Sequence, residues 1–129
     1  MDAILQRRFM YRISEKLAQD KSYQTFITGE VIGQVASQTI ENINATSEAT
    51  NMTILRPLVG LDKSEIIEKA KAIGTYDLSI QPYQDCCHLF APKNPTTKAN
   101  LKKVLEAEKK LDVESLVKSA LGKVNTTTP

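Results

Sequence analysis

Apolar residues recur every four positions at the start of the chain. Leu5, Phe9, Ile13 and Leu17, with Met10 widening the stripe, predict an N-terminal amphipathic helix. Tyr23 to Thr28, YQTFIT, is a short β-rich run that closes at Gly29. A second helix is expected from about Gln34, with Val35, Ala36, Thr39, Ile40 and Ile43 on one face. Met52 to Leu55 is a second short strand, and Pro57 excludes a long central strand beyond it. The third helix has the sharpest boundaries. Asp62 is its N-cap, Glu65 completes a capping box, and Leu61 and Ile66 stand where a hydrophobic staple would place them. Ile66, Ile67, Ala70 and Ile73 form its expected buried face, and Gly74 is a natural C′ residue.

No period survives from Gln81 to Thr97, where Pro82, Pro92 and Pro95 interrupt the chain. The stretch exceeds the ~12–15 residues beyond which an irregular connection is usually functional or disordered. It also holds both cysteines and the single histidine. After it, Leu101, Val104 and Leu105 mark a helix, and Asp112 caps another that carries Leu116, Val117, Ala120 and Leu121 before Gly122 ends it. Helix, strand, helix, strand, helix is the order of an α/β fold with parallel pairing. Two short strands are few for a parallel sheet, which has several strands and both faces covered. The expected reading is therefore the second half of a larger α/β domain over residues 1–97, followed by a C-terminal helical tail over 98–129.

Composition narrows the classes. The 129 residues fit one domain or part of one, and 41% apolar with 25% charged residues excludes collagen-like or wholly disordered character. No apolar run approaches the ~18 residues of a membrane span, and MDAILQRRFMYR lacks the apolar core of a secretory signal. A cytoplasmic protein without a membrane partner is expected. The net charge of +2 gives no long-range field, so any RNA contact must be local. Two cysteines make no disulfide framework, and with one histidine they fall short of a structural zinc set.

Three features carry candidate chemistry. The first is TGEVIGQVASQT, Thr28 to Thr39, where a strand runs into Gly29 and a helix begins a few residues on. Ligands of open α/β sheets bind outside the carboxyl ends of the strands, where glycine admits close approach and a helix N-terminus favours polar or negative groups. Gln34 and Gln38, one turn apart, could present both amides to one side; an ordinary strand-to-helix turn would also account for them. The second is the pair Arg7 and Arg8, which flank the apolar stripe on opposite sides, with Arg12 beside Arg8. One could clamp a phosphate with its planar donor fork while the other snorkels to solvent, and periodicity does not choose between them.

The third is Asp85-Cys86-Cys87-His88. Three adjacent residues cannot wrap a tetrahedral zinc ion, and the chain offers no further Cys or His. Reactive thiols fit this Pro-rich stretch better than buried small hydrophobes do. The lysines of the last helices, Lys98, Lys102, Lys103, Lys109 and Lys110 against Glu106 and Glu108, read as a solvated face, with an RNA-backbone contact as the rival.

Taken in order, RRFMYRI, ITGEVIGQVASQT, ILRPLVGLDKSEII, AKAIGTYDLSI and PYQDCCHLFAPKNPTTKA closely resemble the tRNA 4-thiouridine synthetase family, whose members are also called thiamine-biosynthesis sulfurtransferases. The resemblance covers about Arg7 to Ala99. It implies the C-terminal part of a Rossmann-like PP-loop ATP-pyrophosphatase domain. In that family ATP adenylates the 4-oxygen of a tRNA uridine and persulfide sulfur displaces AMP, leaving 4-thiouridine. Sulfur transfer to the ThiS-like carrier of thiamine thiazole synthesis is linked to the same proteins. ATP with Mg²⁺ is implied as the cofactor, and tRNA and a cysteine desulfurase as partners. A homodimer is expected on separate grounds, because a two-strand half-sheet leaves apolar faces and unpaired backbone groups for a symmetric partner to cover.

By motif, Arg7 (the first Arg of RRFM), Gly29 of TGE and Gln38 of ASQT resemble nucleotide-contacting positions. Cys86 resembles the active-site cysteine, with Cys87 as its alternative. The Ser-Gly-Gly-x-Asp-Ser signature of the PP-loop does not occur in residues 1–129. A fragment of a sulfurtransferase, inactive by itself, is the expected reading. A non-catalytic half-domain used for self-association or partner binding is the alternative.

Overall fold

The computed structural model describes residues 1–33, 38–83 and 96–127. Helix α1 (Asp2–Asp20) leads through a turn at Ser22, with φ 57°, into β1 (Thr25–Ile27). Helix α2 (Ile40–Ser47) precedes β2 (Thr53–Leu55), and α3 (Lys63–Ala72) is followed by the single turn α4 (Tyr76–Ser79). Helices α5 (Leu101–Glu108) and α6 (Val113–Leu121) complete the described elements. β1 and β2 pair in parallel, Thr25 with Thr53 and Ile27 with Leu55, as the order of elements predicts. The amide of Thr28 donates to the Leu55 carbonyl at 3.0 Å, carrying the ladder one step past β1. Both strands are shorter than the β-rich runs in the sequence.

The core lies where α1, α2 and α5 meet. Ile4, Ala45 and Val104 are buried together, with Leu5 and Ala99 packed against them. α6 also lies against α1. Asn42, fully buried in α2, donates from Nδ2 to the Thr96 carbonyl at 2.7 Å and accepts from the Ala99 amide at 2.9 Å. The chain entering α5 is thereby pinned to α2.

Four expectations need correction. The buried positions of α1 are Ile4, Arg8, Tyr11 and Ala18, whereas Leu5, Phe9, Ile13 and Leu17 are half-buried and Met10 is exposed. A spacing of four overshoots a turn by about 40° at each step, so such a row drifts off the contact line. Ile4, Tyr11 and Ala18, seven apart, hold to it. α2 begins at Ile40, because Thr39 is extended and its hydroxyl accepts from the Asn42 amide as N-cap. Thr39 is therefore a cap, and Ile40 is exposed; Gln34, Val35 and Ala36 lie outside the described residues.

α3 has the expected capping box, both Asp62–Glu65 hydrogen bonds being present, and Gly74 follows it at φ 74°. None of its residues is buried, however, and Ile73 is 74% exposed. Its main neighbour is the single turn α4, too short to cover an apolar stripe. Finally, Glu108 is buried rather than part of a solvated face. It bridges Arg8 and Arg12 of α1 through two hydrogen bonds to each.

Candidate functional site

Arg7 and Arg8 are neighbours in sequence and have opposite surroundings. Arg8 has no exposed surface. Its Nε and Nη2 donate to Glu108 at 3.1 and 2.8 Å, and its Nη1 reaches the Ala45 carbonyl and, at 2.8 Å, Glu48. Burial alone would lower its pKa, but the hydrogen bonds and fields of Glu108 and Glu48 outweigh that, and the net shift is upward. Arg8 is a charged clamp among α1, α2 and α5. Arg7 points elsewhere, into a cleft of about 600 Å³ between α1 and β1.

That cleft runs along β1 from Thr25 and continues past its carboxyl end to Gly29 and Glu30. Met10 and Tyr11 of α1 and Phe26 and Ile27 of β1 give it apolar walls, and Arg7, Gly29 and Gln38 also line it. The Tyr11 and Phe26 rings stack 6.0 Å apart, fixing helix against strand. Gly29 has an ordinary φ, and a Cβ there would meet nothing within 4 Å. No packing of the described chain demands glycine at that position. Gln38 Oε1 accepts from the Val31 amide at 2.9 Å, and its carbonyl accepts from Gly33, which has φ 81°. These bonds hold Gln38 beside Val31 and Gly33, and the positive φ suits glycine at 33. Arg7, Gly29 and Gln38 are thus brought to one cleft. Gln34, Cys86, Cys87 and His88 lie outside the described residues.

Sequence reasoning passed over Glu30, although it is written in the TGE motif. Its side chain is buried, Oε1 accepting from Arg7 Nη1 at 2.9 Å. Oε2 accepts from Arg56 Nε at 2.7 Å, Tyr11 hydroxyl at 3.0 Å and Thr28 Oγ1 at 3.2 Å. Arg56, immediately after β2, also donates to Ser47 Oγ at 2.6 Å. Burial would raise the Glu30 carboxyl, yet the hydrogen bonds from Arg56 and Tyr11 and the fields of Arg56 and Arg7 hold it below the ordinary carboxylate range. The Tyr11 hydroxyl is pushed up, by burial first and then by the adjacent Glu30 charge. A buried Glu needs partners, and Arg7 within α1 and Arg56 immediately after β2 were the available signal.

A family model described as "Thiamine biosynthesis protein (ThiI)" matches residues 1–113. The chain belongs to the ThiI family. It is 54% identical over 123 residues to a probable tRNA sulfurtransferase of Coxiella burnetii, covering 95% of this chain and 31% of that protein. It is 50% identical over 117 residues to one from Caldanaerobacter subterraneus subsp. tengcongensis, covering 91% of this chain and 31% of that protein. Among solved structures, a 4-thiouridine synthetase–RNA complex with bound ATP is similar at TM-score 0.86 and 48% identity, over 94% of this chain and 32% of that one. This ThiI-family chain thus spans about a third of the length of those relatives.

Proposed function

We propose that this chain is the ATP-binding segment of a tRNA uracil 4-sulfurtransferase. Residues 1–97 form the C-terminal half of a Rossmann-like PP-loop domain, and 98–129 its helical tail. The observation that carries the reading is the convergence of Arg7, Gly29 and Gln38 on one cleft at the carboxyl end of a parallel strand. Apolar walls suit a nucleotide base, and one buried carboxylate between two guanidinium groups leaves the polar end net positive, which suits phosphate. The open space at Gly29 lets a ligand approach the backbone. Bound ATP in the similar 4-thiouridine synthetase supports the same assignment.

In this reading ATP adenylates the 4-oxygen of a tRNA uridine with release of pyrophosphate, and persulfide sulfur then displaces AMP to give 4-thiouridine. Mg²⁺ enters with the phosphates. Among the described residues no three His, Cys, Asp or Glu side chains gather to hold a metal, so these residues contribute charge and hydrogen bonds to the nucleotide. Cys86 carries the sulfur, with Cys87 as the alternative. Thr39 Oγ1 donates to the Thr97 carbonyl at 2.7 Å, which sets Thr97 beside the residue that follows Gln38. A cysteine desulfurase supplies the sulfur, a ThiS-like carrier is a second acceptor, and the protein acts in the cytoplasm as a homodimer.

The experiment is ATP-dependent thiolation of unmodified tRNA by the full-length protein with a desulfurase, read by mass spectrometry of the nucleosides. Cys86→Ser is expected to abolish 4-thiouridine and AMP displacement while pyrophosphate release on adenylation persists, because Ser cannot replace a thiolate at neutral pH. Cys87→Ser is expected to retain most activity, and the reverse pattern moves the role one residue along. No thiouridine from the wild-type protein overturns the reading.

A further inference from the structure

Of the two buried carboxylates among the described residues, Glu108 ties helices together and Glu30 stands at the cleft. A buried negative charge beside a site for an anionic ligand is unfavourable unless it does something there. Its contacts say what. Oε2 is gripped from three directions, by Arg56 after β2, Tyr11 on α1 and Thr28 at the end of β1. Among the described residues Oε1 has a single partner, Nη1 of Arg7. The carboxylate is therefore a fixed post to which a side chain lining the cleft is tied. Arg7 stays 25% exposed, so its donor fork is held at the cleft without being enclosed.

We infer that Glu30 is a positioning residue for the nucleotide: anchored by Arg56, Tyr11 and Thr28, it sets the orientation of the Arg7 guanidinium that meets the ligand. This rests on the nucleotide reading above and adds to it a residue that acts through Arg7. Charge and geometry then predict opposite signs. Removing the carboxylate makes the cleft more positive, and by charge alone an anion should bind more tightly. If Glu30 works by holding Arg7 in place, the anion binds more weakly, because the fork loses its orientation.

The test is titration of ATP into the full-length protein carrying Glu30→Gln or Glu30→Asp, each with and without Arg7→Ala. Glu30→Asp keeps the charge and withdraws the carboxylate by one methylene, so it decides the matter if Glu30→Gln loses its cooperative melt. Both are expected to weaken ATP about ten-fold in the wild-type background and by less than about two-fold when Arg7 is already Ala. Wild-type or tighter affinity in the Glu30 variants overturns the inference. So does an equal loss with and without Arg7, which is the signature of a merely structural role. Wild-type affinity in Arg7→Ala alone removes the nucleotide reading itself, and this inference with it.

Discussion

Glu108→Leu should be among the most damaging single substitutions in the chain, although Glu108 lies far from the cleft in sequence and touches no residue that lines it in the contacts described. It is 5% exposed and faces Arg8, which is fully buried. With the carboxylate gone, Arg8 keeps, among the described residues, the Ala45 carbonyl and Glu48, whose side chain is 47% exposed. A partner so solvated contributes at most about 1 kcal/mol, whereas stranding a buried charge costs about 3–5 kcal/mol. Arg12 is 31% exposed and can turn to water, so it adds little. The loss should be about 3 kcal/mol, against about 5–15 kcal/mol of net stability for a whole domain. With m near 1–3 kcal/mol per M, the urea midpoint followed by far-UV circular dichroism falls by roughly 1–3 M.

The internal control is the pair. Arg8→Met with Glu108→Leu replaces both buried charges by apolar side chains and leaves Arg12 and Glu48 free to hydrate. Apolar replacement of a whole buried ion pair is often close to neutral. The double variant should therefore be more stable than Glu108→Leu alone. Equal or greater loss in the double variant would refute the reasoning, since it would mean that Arg8 contributes by something other than its charge being paired.

Acid should act through the same carboxylates. Burial raises the Glu108 carboxyl, but hydrogen bonds from Arg8 and Arg12 and their fields outweigh it, and the net shift is downward, as for Glu30. Groups depressed on folding contribute stability that is fully present above the ordinary carboxylate value of ~4.3 and is lost as pH falls through their lower folded values. The urea midpoint should hold from pH 7 to about 5 and fall steeply below about 4, with a shallower fall in the double variant. At the cleft, Arg7→Ala should weaken ATP binding by about ten-fold and lower the melt less than Arg8→Ala does, since Arg56, Tyr11 and Thr28 still hold Glu30. Arg8→Ala should lower the melting temperature first, and calorimetry with ATP titration separates the two.

The N-cap of α3 was legible because Asp62 and Glu65 act within one turn of chain. Parallel pairing was legible from the order of elements, since strands joined through a helix have few other arrangements. The burial of Arg8 was not. Its charge is tolerated only because Glu108, Glu48 and the Ala45 carbonyl come from elements remote in sequence, and no local pattern records that. The α3 face failed for the converse reason. Its apolar spacing is genuine, but periodicity reports what a helix can bury, and Ile73 lacks a cover among the described residues. Glu30 fell between the two, a charged letter inside a recognised motif whose partners Arg7 and Arg56 bracket it at a distance.

The division of labour between Arg7 and Arg8 follows from helix geometry. Successive side chains on a helix project about 100° apart, so a helix lying between a helical layer and a sheet presents adjacent residues to different neighbours. α1 is in that position. Arg8 turns toward α2 and α5, and Arg7 toward β1 and the turn after it. Each guanidinium is met by a buried carboxylate from its own side, Glu108 for Arg8 and Glu30 for Arg7. The difference that separates scaffold from site is therefore not the pairing, which both have. It is that Arg8 spends all its surface on protein, whereas Arg7 keeps part of its fork open to a cleft with apolar walls and a glycine turn. A one-residue shift of α1 would put Gln6 or Arg8 in the place Arg7 holds at the cleft and part Arg8 from Glu108, so the Ile4–Val104–Ala45 contact that fixes the helix also fixes the site.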